Sequence, residues 1–233
     1  MKRALVVLVA AMVLLFGTWK LSRSRTYQLF GEIVPRVETN ERAVALTFDD
    51  GPAPDVAELL DTLSAKHVTA TFFLIGAQIA EDPADARKIV AAGHQVGNHS
   101  WSHDRMVLKS PSFVAREIED TDREIRKVGY QGEIEFRSPY GKKLVALPWY
   151  LARHHRRNIT WDVEPESDPN IDGHTDRIVA DVLAHSHEGS IIILHPMYKN
   201  RAPTRAAVAP IIDGLRARGF RFVTVRQLLS LRS

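Results

Sequence analysis

From residue 43 onward, short β-rich apolar runs alternate with longer stretches of helical pattern, and this alternation limits the fold more than any other feature of the chain. Ala43–Phe48, Thr71–Ile75, Gln95–Gly97, Ile134–Phe136, Asn158–Thr160, Ser190–Leu194 and Phe220–Val223 read as strands. Ala57–Lys66, Ala84–Ala92, Pro111 to about Val128, Pro148 to about Arg156, Thr175–Ala184 and Arg205–Arg218 read as helices. Ser110 is placed to cap the helix that Pro111 opens, and Gly93, Gly129 and Gly219 stand where helices stop. Thr224 with Gln227 forms a capping box for a last helix. About seven strands alternating with helices imply a parallel α/β architecture. A doubly wound open sheet and a (β/α) barrel both satisfy the pattern. No G-x-G-x-x-G follows the first strand, which counts against a dinucleotide-binding version.

The N-terminus has a different character. Lys2 and Arg3 precede an apolar run from Ala4 to about Trp19, the pattern of a membrane-targeting helix. A cleaved signal needs small residues before the cut; Val9-Ala10-Ala11 lies inside the run, and Leu15-Phe16-Gly17 is a poor site. A membrane anchor needs roughly 17–25 apolar residues, so the run is slightly short, but Trp19 and Lys20 suit the interface and extend it. The anchor reading is favoured. Basic residues flank both sides, so charge alone leaves the orientation open. The expected organisation is a signal-anchor over 1–25, a lead-in over 26–40 and a catalytic domain over 41–233 outside the cytoplasm; secretion after cleavage is the alternative. Of the 233 residues, 45% are hydrophobic and 25% charged, enough for one sizeable core. A net charge of +3 without a basic stripe gives no argument for nucleic acid. There are no cysteines, so any metal must sit on His, Asp or Glu.

The polar clusters gather at one kind of place, directly after a predicted strand. Asp49-Asp50 follow AVALTF, His99 and His103 follow QVG, Arg137 follows IEF, Asp162 and Glu164 follow NIT, and His195 follows SIIIL. Each alone has an ordinary explanation: a turn, a pair of surface histidines, a solvated arginine, a loop acid, a core histidine. In a parallel barrel, however, strand C-termini share one face, and clusters there converge on one cavity. Successive residues leaving a strand point in different directions, which gives two adjacent acids separate uses. Asp50 with His99 and His103, spaced i, i+4 as on one face of a helical turn, makes a metal set that leaves positions open for water and substrate. Such a metal polarises a carbonyl and acidifies bound water. Asp49 can then act as general base and His195 as proton donor to a leaving group.

TFDDGP (47–52), HSWSH (99–103), RSPY (137–140), WDVE (161–164) and ILH (193–195), with ATFFLIG (70–76) and GHQVGNH (93–99), resemble the polysaccharide deacetylase family, also called carbohydrate esterase family four or NodB-like domains. The resemblance runs from about residue 40 to 230. It implies a distorted (β/α) barrel with seven or eight strands and a divalent metal, usually zinc. It also implies removal of N-acetyl groups from N-acetylglucosamine polymers, with peptidoglycan or chitin-like oligosaccharides foremost, or of O-acetyl groups from xylan. By motif, Asp49 is the base, Asp50, His99 and His103 hold the metal, Arg137 orients Asp49, the Tyr140 N–H helps hold the oxyanion, and His195 is the acid.

The fourth motif departs from the family's Asp-x-x-Asp-Trp. Here it reads Glu164-Pro165-Glu166-Ser167-Asp168, followed by Pro169. Glu164 falls where the first Asp tunes the catalytic histidine, and the second Asp and the Trp have no counterpart by position. Ile193 is expected to form one wall of the acetyl pocket, with Tyr198 or Met197 candidates for the other. Three further readings compete. Two His and one carboxylate also suit Fe(II) in an oxygenase, though that leaves Asp49 and Arg137 without a task. The altered motif would suit a non-catalytic carbohydrate-binding envelope protein. An O-deacetylase would depend less on His195, because an alkoxide needs the acid less than an amine does.

Overall fold

The structure is a computed structural model and describes residues 2–233, apart from the side chain of Ala4; Met1, the first residue of the expected anchor, lies outside the described residues. The elements run α1 (Lys2–Arg23), β1 (Ile33–Val34), β2 (Ala43–Asp49), α2 (Val56–Ala65), β3 (Thr71–Leu74), α3 (Gly76–Glu81), α4 (Pro83–Ala91), β4 (Gln95–Asn98), α5 (Pro111–Lys127), α6 (Ala146–Arg153), β5 (Asn158–Ile159), α7 (Thr175–His185), β6 (Ile191–Leu194), α8 (Ala202–Ala217), β7 (Arg221–Val223) and α9 (Val225–Leu229). Every pairing between these strands is parallel.

β2 is the central strand. It pairs with β3 on one side, with β6 on the other, and with β7 along Ala43–Ala45. β3 pairs with β4, and β1 with β5. Single parallel bridges join these two groups: Phe136 links Asn98 to Asn158, and Val163 meets Ile192. The sheet thereby closes on itself as an irregular parallel barrel. Two details differ from the pattern read in the sequence. Ile134–Phe136 is too short to form a ladder and contributes only Phe136 as a bridge on each side. Ile33–Val34, read as lead-in, supplies a strand instead.

Alternation along β2 divides the core. All seven of its residues are buried, as a strand covered on both faces requires. Ala43 and Ala45 point inward to a cluster with Phe73, Trp161, Ile191 and Ile193. Val44, Leu46 and Phe48 point outward and pack with Leu59, Leu63 and Ile211 of the surrounding helices. Thr47 and Asp49 share the inward parity of Ala43, and that parity carries Asp49 into the barrel.

Several helix ends follow the local signals. The Ser110 hydroxyl accepts from the Phe113 N–H, and Thr224 and Gln227 form the reciprocal box. One helix escapes the sequence pattern. Gly76 opens α3 rather than simply ending a strand. A Cβ there would collide with the Thr121 hydroxyl and the Trp101 ring, so glycine allows α3 to lie close against α5. The end of the expected anchor and the lead-in after it are built into the fold: the Lys143 N–H donates to the Ser22 carbonyl, the Thr160 hydroxyl to the Arg25 carbonyl, and the Val37 N–H to the Gly189 carbonyl. α1 extends beyond the apolar run, and its Leu5–Arg23 portion has a mean hydropathy of 2.1 with almost no burial.

Candidate active site

Strand register assembles the site. Phe48 lies opposite Leu194, so Asp49 and His195 leave neighbouring strands at one level. Leu74 lies opposite Asn98, and Asn98 bridges to Phe136, which brings His99 and Arg137 to the same end of the barrel. Asp49, Asp50, His99, His103, Tyr140 and His195 line a single cavity of about 220 Å³.

Asp49 is 1% exposed, and its Oδ1 accepts from Arg137 Nη1 at 2.5 Å. Arg137 is itself buried inside the barrel. Nη1 also donates to the Thr47 hydroxyl (2.8 Å), Nε to the Ile159 carbonyl and Nη2 to the Thr160 carbonyl (both 3.1 Å). Its guanidinium lies 4.0 Å from the centre of the Phe73 ring. Burial lowers the Arg137 pKa, and the Asp49 charge opposes that shift. The pair is therefore an ionic anchor with every contact directional.

Asp50 has turned out of the strand with φ 69, a left-handed conformation that costs energy for a residue with a side chain. Its Oδ1 is buried without a hydrogen-bond partner among the described residues. That oxygen lies 3.1 Å from His103 Nε2 and 3.7 Å from His99 Nε2. Such spacings suit three ligands of one ion bonded at about 2.0–2.2 Å each. His99 Nδ1 donates to the Arg137 carbonyl at 2.9 Å, leaving Nε2 as the acceptor. Burial, with nearby His103, pushes its pKa down to about 3, so the imidazole is neutral and able to ligate. An orphaned buried oxygen facing two imidazole nitrogens is the donor set a divalent cation fits.

The two histidines do not meet on a helical turn, as their spacing suggested. Residues 99–105 form an irregular loop in which Ser100 and His103 both have positive φ, at 66 and 59. Neighbouring acids and amides hold that loop. Glu117 on α5 accepts from the N–H groups of Trp101 and Ser102 and from the Ser102 hydroxyl. Asn98 donates to the Ile118 carbonyl and Asp122 and accepts from the Ser100 N–H.

The sequence expectation for Glu164 is corrected. Glu166 is the acid at His195: its Oε2 accepts from both Nδ1 (2.7 Å) and the backbone N–H (2.8 Å) of His195. Its Oε1 accepts from the Thr204 hydroxyl at 2.7 Å. The cause is Pro165, which keeps Glu164 out of the helical region and opens a short 3-10 turn that swings Glu166 back to the end of β6. Glu164 remains at the cavity lip and pairs with Arg25 at 2.9 Å. Burial would lower the His195 pKa, but the Glu166 bond and charge, with Asp49 and Asp50, raise it to about 9. Burial likewise opposes ionisation of Glu166, yet His195 and Thr204 bring its pKa below the usual value.

The walls differ from expectation too. Ile193 lines the cavity as expected, but Tyr198 and Met197 do not. Tyr198 bonds Gln78, and Met197 packs near Gly51. The aromatic wall is Trp161, 4% exposed, with an indole N–H that is buried without a partner among the described residues. Its signal was already present as the first residue of WDVE. Asp162 lies outside the cavity and ties the start of β6 through Ser190 and the Ile191 N–H. Tyr140 lines the cavity mouth in a left-handed conformation (φ 56, ψ 14), its ring 4.6 Å from that of His103.

Comparison with known proteins agrees with this geometry. Residues 36–159 match the family model described as Polysaccharide deacetylase. The chain is 34% identical over 199 residues to Peptidoglycan-N-acetylglucosamine deacetylase PgdA of Listeria monocytogenes, covering 84% of this chain but only 40% of that protein. It is 34% identical to a Chitooligosaccharide deacetylase of Bradyrhizobium, covering 80% of this chain and 90% of the relative. Among solved structures, it is similar to a peptidoglycan N-acetylglucosamine deacetylase in complex with 4-naphthalen-1-yl-N-oxidanyl-benzamide, with TM-score 0.78, 29% identity, and 85% and 92% of the two chains covered.

Proposed function

The chain belongs to the polysaccharide deacetylase family, and from that premise we propose that it is a metal-dependent hydrolase removing N-acetyl groups from an N-acetylglucosamine-containing polysaccharide, either peptidoglycan or a chitin-like oligosaccharide. The observation that carries this reading is the meeting of a buried acid, a three-ligand cation set and a histidine of raised pKa in one small cavity. The cavity is smaller than the roughly 300–1,000 Å³ that encloses a drug-sized ligand. It suits an acetamido group inserted from a polymer lying across the mouth.

Asp50, His99 and His103 would hold the cation, with zinc the expected occupant. Bound there, it supplies Lewis-acid polarisation of the acetyl carbonyl and lowers the pKa of water. Arg137 fixes Oδ1 of Asp49, which turns Oδ2 towards His99 and the entering water; Asp49 takes that water's proton. The water oxygen bonds to the acetyl carbon and the carbon–nitrogen bond breaks. His195, whose Nδ1 proton Glu166 holds, gives its Nε2 proton to the departing amine. Trp161 and Ile193 enclose the acetyl methyl, and the Tyr140 N–H donates to the developing oxyanion. α1 anchors this domain to a membrane, with the catalytic domain on the non-cytoplasmic side.

The test is acetate release by the full chain in detergent from N-acetylglucosamine oligomers, peptidoglycan and acetylated xylan, with chelator and with zinc restored. Metal-dependent release from the amino-sugar polymers, lost in Asp49→Asn while zinc remains bound, is the expected outcome. Release from xylan alone, with His195→Ala nearly as active as wild type, would make it an O-deacetylase. No release from folded, zinc-loaded protein would reject the enzyme reading.

A further inference from the structure

A broad apolar concavity lies outside the catalytic cavity. It measures about 540 Å³ and is lined by Phe30, Leu108, Pro111, Val145 and Trp149, with Lys109 at its edge. Leu108 is 88% exposed, Val145 52%, Phe30 44% and Trp149 42%. Single exposed apolar residues are ordinary, but residues from separate segments lining one groove mark a contact surface.

The groove is joined to the exit of α1. The Lys143 N–H bonds the Ser22 carbonyl at 3.1 Å, one residue before Leu144 of the groove wall. Phe30 follows the helix in sequence, with Tyr27 and Leu29 also exposed between them. The last turns of α1 carry an aromatic and basic collar, with Arg23 stacked 4.6 Å over Trp19 and Lys20 5.6 Å from it. The groove repeats that chemistry, with Arg153 5.4 Å over Trp149 and Lys142 two residues before Leu144; Lys109 is paired with Asp104 at 2.6 Å. Trp and Tyr with basic neighbours are the residues that settle at a bilayer interface.

Resting on the reading of α1 as membrane-spanning, we propose that this groove seats on the leaflet from which the domain emerges, as a second membrane contact. The headgroup layer beyond the hydrocarbon core is several ångströms thick, and a groove pinned to the helix exit lies within it. The contact fixes where the catalytic cavity sits. Arg25, two residues past α1, pairs with Glu164 at the cavity lip, and Tyr140 at the mouth leads through Lys142 into the groove wall. The cavity is thus held beside the bilayer surface, and the acetylated glycan it receives is one presented there.

The absence of cysteine makes the test clean. Single variants Leu108→Cys, Val145→Cys, Leu14→Cys and Glu188→Cys of the full chain each take one nitroxide label. They are reconstituted in vesicles of phosphatidylcholine and phosphatidylglycerol. Collision with lipid-soluble oxygen is compared with collision with a water-soluble nickel chelate. Labels at 108 and 145 should show an oxygen-to-nickel ratio several-fold above that at 188, and below that at 14. Labels at 108 and 145 matching 188, while 14 reports the hydrocarbon core, would overturn the groove contact alone. A label at 14 that meets nickel freely would overturn the anchor and the contact together. Leu14, Leu108 and Val145 are exposed, and Glu188 is half-buried in a surface ion pair with Arg42, so none of the four changes opens the core.

Discussion

Two adjacent acids at a strand end part company because a strand alternates its faces. Asp49 keeps the inward parity and meets Arg137, whereas Asp50 leaves the strand in a left-handed turn towards two histidines. Arg137→Ala would leave Asp49 buried without its counter-charge. Urea unfolding should register a loss of about 3–5 kcal/mol, the range for breaking a buried ion pair. The proposed acid, His195, donates only while protonated. Its raised pKa keeps it protonated through neutral pH, so activity on the alkaline side falls as pH rises through about 9. Glu166→Gln removes the charge that raises it and leaves only a neutral acceptor oxygen. The alkaline limb should move towards the ordinary histidine range, with kcat falling about a hundredfold at neutral pH. Glu164→Gln, two residues away, should leave that limb in position.

At the scale of elements, the loop 99–105 is irregular yet held tightly, and α5 does the holding. Glu117 satisfies two backbone N–H groups and a hydroxyl that fall inside the loop. Glu117→Ala would orphan buried donors, at about 1–3 kcal/mol for each left without water. Zinc affinity should fall with it, since His99 and His103 ride on that loop, and isothermal titration would measure the drop. Glu117→Gln keeps one acceptor oxygen and should recover part of the affinity. The close approach of α3 to α5 at Gly76 supports the other side of the same loop, where the Gly76 and Ala77 N–H groups bond the Ser100 and Trp101 carbonyls.

For the molecule as a whole, the cation set ties the β2, β4 and loop segments at one end of the barrel. A ligand that binds only the folded state stabilises it by mass action, about 2.7 kcal/mol at a hundredfold excess over Kd. In a domain of this size each kcal/mol moves Tm by about 2–4 °C. Zinc should therefore raise the Tm of the apo protein by several degrees in calorimetry, and His103→Ala should abolish the increase. The residues after α1 belong to the same body: β1 pairs with β5, and Arg25 reaches the cavity lip. Truncations that begin past residue 34 would strip that strand from the sheet.

What this sequence determined by itself was the order of β2 to β7 and of the helices between them apart from α3, the capped ends of α5 and α9, and which side chains leave the strand ends. Those properties are local. Alternation, capping and chain-end chemistry act over a few residues, and the clustering of Asp49, Asp50, His99, His103, Arg137 and His195 followed from where their strands stop. Only the tertiary structure decided which acid meets His195, which ring walls the cavity, and how His99 reaches His103. Each is settled by contacts across long separations. Pro165 redirects the chain so that Glu166 and not Glu164 lies against a residue 29 positions on. Trp161 becomes a cavity wall because β5 and the segment after it cross from Phe136 to β6. Spacing along the chain cannot express either, because the distances that matter there are set by the closed sheet.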